Sequence, residues 1–132
     1  MTLSKSWVAS ANDPNTDFPL NNLPCGVFSV PDGEPRCGVA IGDMILDVTA
    51  LEEHAILRPS DEPVFDVPFW NDFMELGPEA WARFRADLTA LLAEGAAARP
   101  RVEPHLVKQA DATMHMPFAV AEFTDFYAGR HH

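Results

Sequence analysis

The sequence is short of positive charge, of cysteine and of long apolar runs, and each shortage closes off a class of function. Nine Lys and Arg stand against twenty Asp and Glu, a formal charge of -11. Phosphate backbones and anionic headgroups must be neutralised by cations, so this balance argues against a nucleic-acid or anionic-membrane partner. No apolar stretch reaches the about 20 residues needed to cross a bilayer. The N-terminal MTLSKSWVASANDPNTDFP also lacks the apolar segment of a secretory signal, and the default reading is a soluble cytoplasmic protein. The two cysteines, Cys25 and Cys37, have neither CxxC spacing nor a Cys/His set around them, which excludes a zinc finger. They read as buried, reduced thiols, with a disulfide between them as the alternative. Gly-rich phosphate loops, a GxSxG elbow and an HExxH helix are missing too.

What is present is enough for a folded domain. The 132 residues are 47% hydrophobic, and a chain of that size buries a core without a disulfide or metal staple. The twelve prolines fall mostly between the apolar segments. That spacing predicts short elements joined by irregular loops, and no internal repeat is visible.

Residues 1–16 are polar and read as an arm, with Trp7 and Val8 the residues able to pack. A short strand is expected over 26–30, after the turn-forming Asn and Pro of DFPLNNLP. In RCGVAIGDMILDVTAL (36–51), Cys37, Val39 and Ile41 share a face at period two. Gly42-Asp43 occupies the place of a two-residue turn, and 44–48 returns as the second strand of a hairpin. Loop signals fill 52–68. A short helix is expected in FWNDFMELG (69–77), closed by Gly77, and a longer one from Pro78 to Gly95. Along that helix Trp81, Phe84, Leu88, Leu91 and Leu92 recur at three- and four-residue steps, an amphipathic stripe that belongs to a core. Residues 96–105 read as a connector. An extended piece follows around 112–116, then a turn at Pro117 and a new element at AEFTDFYAG. Strands first and helices afterwards predict an α+β, mainly β domain whose small antiparallel sheet curls towards a barrel.

The C-terminal EFTDFYAGRHH crowds carboxylate, aromatic and imidazole groups together. Asp125 has the type of a hard-cation ligand or general base, although a lone carboxylate is more often a capping or surface residue. His131 and His132 read by position as tail. His115, between two methionines in TMHMP, reads as a core histidine with a satisfied ring nitrogen. His54 and His105 lie in loops without a pattern.

Four segments in order, DFPLNNLPCGVFS, RCGVAIGDMILDVTAL, QADATMHMP and FTDFYAGRHH, resemble the amino-terminal portion of the fumarylacetoacetase family from Asp17 to His132. The resemblance implies a small SH3-like barrel with accompanying helices over residues 1–117 and the start of a catalytic domain over 118–132. It implies a homodimeric hydrolase that uses Ca²⁺ or Mg²⁺ to cleave a carbon–carbon bond of fumarylacetoacetate in tyrosine and phenylalanine catabolism. Carried over by motif, Asp125 would ligate the metal, Tyr127 would contact substrate and His132 would activate the attacking water; His131 receives no role. Further carboxylate ligands, the partner of the catalytic histidine and the cationic substrate contacts have no counterpart before His132, so the 132-residue chain is expected to be inactive alone and to hold no metal tightly. The competing reading is a stand-alone SH3-like interaction domain. A relative acting on another acylpyruvate-like substrate is a third.

Overall fold

The computed structural model describes residues 5–20 and 22–115. Its centre is the hairpin that the alternation predicts. Strand β1 (Cys25–Ser29) pairs antiparallel with β2 (Arg36–Ile41), and β2 with β3 (Met44–Asp47) in the register Ile41↔Met44. Gly42 has φ +57°, the left-handed region that glycine enters without penalty. A side chain there would also run into Ser10 and the backbone nitrogen of Ala11. The turn is therefore glycine for two independent reasons.

Two short strands complete the sheet. Strand β4 (Leu106–Lys108) pairs with β3, β5 (Thr113–His115) pairs with β1, and the order is β4-β3-β2-β1-β5. The result is a curled, five-stranded antiparallel half-barrel within an α+β domain, as expected of a small SH3-like barrel with accompanying helices. The sequence reading has an extended piece where β5 lies but treats β4 as featureless, since three residues are too few for alternation to register.

Helix α1 (Val48–Glu53) begins where strand was expected to continue. Asp47 ends β3 and caps α1, its carboxylate accepting from the Ala50 N–H at 2.9 Å. No loop separates the two elements. Helix α2 (Asn71–Met74) and helix α3 (Pro78–Leu92) match expectation, and Gly77 and Gly95 take φ of +93° and +82° beside the ends of α3. Phe84, Leu88 and Leu92 are buried; Trp81 and Leu91 pack half-buried at the margin. Within the expected connector, Arg99–Val102 forms a short helix, α4, which buries Val102.

The core lies between one face of the sheet and the helices. Phe65, Trp70, Phe73 and Phe84 form an aromatic cluster, with ring centroids between 4.7 and 5.9 Å apart and several edge-to-face contacts. The Trp70 indole N–H donates to the Gly26 carbonyl at 2.7 Å and so ties the cluster to β1. The expected N-terminal arm is instead part of this core. Trp7, Val8 and Ala11 are buried, the Trp7 indole donates to the Leu91 carbonyl at 2.8 Å, and the Arg99 guanidinium lies 5.2 Å from its ring centroid. The polar composition of the segment hides this, because its anchors are 84 residues away in sequence.

Candidate functional site

Asp125, Tyr127 and His132 lie outside the described residues, as do the turn at Pro117 and the element expected at AEFTDFYAG. What the described residues show is the element that leads towards them. β5 pairs with β1 through Val27↔His115, Phe28↔Met114 and Ser29↔Thr113, so the chain is held in register ten positions before Asp125. His115 does not occupy the core, as its methionine neighbours suggest. It is exposed on an edge strand, with a ring nitrogen 2.7 Å from Ser29 Oγ. The reading of a partnered ring nitrogen holds; the reading of burial does not.

The face of the sheet opposite the core forms an apolar hollow of about 300 Å³. Strand alternation places Gly26 and Phe28 of β1, Gly38 and Ala40 of β2, Ile45 of β3 and Met114 of β5 on this side. The two glycines shape it. A Cβ on Gly38 would lie 2.7 Å from both Ile45 Cγ2 and Phe28 Cδ1, and one on Gly26 would lie 3.1 Å from Met114 Cε. Phe28 is 1% exposed, whereas Met114 at the margin is 60% exposed. Gln109 closes one end, its amide N–H₂ donating to the carbonyls of Gly42 at 3.0 Å and Met44 at 3.1 Å.

The remaining chemistry-bearing groups are held in structural contacts. Cys25 and Cys37 are both free; Cys37 is buried as expected, while Cys25 is exposed as a residue. Burial pushes the Cys37 thiol up to about 12, with Glu52 adding to the effect, so it is no nucleophile near neutral pH. Desolvation also raises the Cys25 thiol, partly offset by Arg85. Glu52 is 8% exposed and accepts from the N–H groups of Val64 at 2.8 Å and Phe65 at 2.9 Å. A buried carboxylate that accepts two backbone donors is a brace for the loop before α2. Nothing in the Glu52-Glu53 pair of the sequence distinguishes the buried member from the exposed one. His54 and His105 stack with ring centroids 5.1 Å apart, a pairing that no sequence spacing signals. Among the described residues no group of three or more His, Cys, Asp or Glu is placed to hold a metal ion. No helix among them is long and apolar enough to cross a membrane.

The family model described as fumarylacetoacetase N-terminal matches residues 21–117. The chain belongs to this family. It is 44% identical to the fumarylacetoacetase of Bos taurus over 135 residues, which is 96% of this chain and 32% of the relative. The fumarylacetoacetases of Mus musculus and Homo sapiens are each 43% identical over 136 residues, again 96% of this chain and 32% of theirs. The chain thus spans about a third of the length of the curated relatives it matches. The curled sheet and its flanking helices are what a fumarylacetoacetase N-terminal domain looks like in this chain, and the resemblance carried by the four segments is confirmed at the level of the family.

Proposed function

We propose that the chain is the N-terminal portion of a fumarylacetoacetase, the hydrolase that cleaves 4-fumarylacetoacetate to fumarate and acetoacetate in tyrosine and phenylalanine catabolism. The observation that carries this reading is the family match over residues 21–117, in relatives three times as long that bear the enzyme's name. In this reading residues 1–117 are the barrel domain and 118–132 open a catalytic domain. The intact protein is a cytoplasmic homodimer.

Asp125 is the carboxylate that this chain would offer to Ca²⁺ or Mg²⁺. Ca²⁺ takes six to eight oxygen ligands, and the described residues assemble no cluster to supply the others. In this reading the remaining ligands come from the longer polypeptide, and the steps assigned to the residues of this chain are steps of proton transfer and orientation. A neutral imidazole at His132 takes a proton from water as its oxygen bonds to the substrate carbonyl carbon. The carbon–carbon bond then breaks, its electron pair leaves with the acetoacetate fragment, and that carbon is protonated. The Tyr127 hydroxyl supplies a hydrogen bond that orients the substrate.

Two assays test the proposal together. The 132-residue chain is expected to release fumarate no faster than a metal-only blank. In the longer polypeptide, Asp125→Ala is expected to abolish turnover while leaving the protein folded. Turnover by the short chain, or full activity in the Asp125→Ala enzyme, would overturn the assignment.

A further inference from the structure

Arg58 and Arg83 converge on a polar hollow of about 540 Å³ between the loop 58–61 and the start of α3, with Ser60, Asp61, Leu76 and Ala80 among its lining. The Arg58 Nη2 group donates to the Asp61 carbonyl at 3.2 Å, and Arg83 Nη2 donates to the Pro59 carbonyl at a long 3.4 Å. Both contacts anchor the loop, the second by stapling it to α3. They use one donor of each guanidinium, which carries five in a planar fork.

Neither arginine forms an ion pair among the described residues, the Asp61 carboxylate in the same lining included. Acidic residues outnumber basic ones twenty to nine. Among the described residues only Arg36, with Asp47 and Glu53, and Arg99, with Glu103, form ion pairs; what sets Arg58 and Arg83 apart is that they line one hollow together. The hollow sets two guanidiniums against one carboxylate, Asp61, a local excess of positive charge in a chain of net charge -11. The fifteen-residue helix α3 starts beside the hollow without a side-chain cap, and the positive end of its dipole is shared with the Glu79 carboxylate of its first turn.

We propose that this hollow binds a small oxyanion, clamped by the spare donors of Arg58 and Arg83. Phosphate and short dicarboxylates share the required chemistry, since each presents several oxygens to two planar donor forks. The site uses none of Asp125, Tyr127 and His132, so it stands or falls independently of the catalytic reading.

The test is a titration of the chain with inorganic phosphate and, separately, with succinate, at constant ionic strength, followed by NMR on the arginine Nε–H signals. Saturable shifts at Arg58 and Arg83 are expected at millimolar ligand. Arg58→Gln and Arg83→Gln should each weaken binding about tenfold, whereas Arg101→Gln, an exposed arginine on α4, should leave it unchanged. Saturation by phosphate alone, by succinate alone or by both supports the site and says which source it prefers. Absence of saturation with either anion, or an equal loss in the Arg101→Gln control, overturns it. Should Arg83→Gln fail to fold, Arg58→Gln decides the matter, because the hydrogen bond from Arg58 to Asp61 spans three residues of one loop and does not reach α3.

Discussion

The two faces of the same sheet are built by one alternation and end in different states. On the core side, Val27, Cys37, Val39, Ile41 and Leu46 are all at most 1% exposed and close against the helices and the N-terminal segment. On the other side the apolar residues are just as regular in sequence. Two glycines replace the side chains that would fill the centre, and Phe28 lies against Gly38. The first face is filled by bulk and the second is shaped by its absence. Period two says which residues share a face; the residue sizes at Gly26 and Gly38 decide whether that face is solid or hollow.

The comparison can be broken most sharply at Leu46. Leu46→Ala removes a fully buried side chain from the filled face and is expected to cost about 3 kcal/mol in a urea denaturation. A loss below about 1 kcal/mol would mean that the core face is as slack as the other. Gly38→Ala is the next test. Its new methyl would collide with Ile45 and Phe28, and overpacking of this kind is expected to cost about 2 kcal/mol. If thermal melts show Gly38→Ala to be neutral or stabilising, the hollow has room to yield and glycine is not what shapes it. The smallest effect belongs to Met114→Ala. At 60% exposure it should change stability by less than about 0.5 kcal/mol in equilibrium unfolding, and a larger loss would show that the margin of the hollow is packed rather than open.

Legibility followed the range of the interactions. The hairpin of β2 and β3 was readable because register, turn glycine and alternation all lie within about a dozen residues of sequence. Helix α3 was readable because its stripe, its opening proline and its terminal glycines are local signals. Helix α1 was not, because Asp47 serves at once as the end of a strand and as a helix cap, and β-branched Val48 and Thr49 favour the strand reading. The N-terminal segment deceived by composition. Ser6 donates to the Leu92 carbonyl and Trp7 to that of Leu91, contacts that no local pattern announces. His115 deceived through its neighbours, since it pairs with Val27 of the core face yet stays exposed because β5 is the edge strand.

The candidate site divides in the same way. The motif bearing Asp125, Tyr127 and His132 was found by resemblance alone, whereas the Arg58–Arg83 hollow was invisible to the sequence reading and emerged from the fold. Alternation, turn chemistry and amphipathic period determined, from the sequence by itself, a hairpin and a long helix, and the order of four motifs determined a family. Only the tertiary structure decided that the N-terminal segment belongs to the core, that Glu52 is a brace and that two arginines 25 positions apart share one hollow. The physical reason is that backbone preferences act over a few residues. Burial, hydrogen-bond satisfaction and the sharing of charge depend on which distant segments packing brings together.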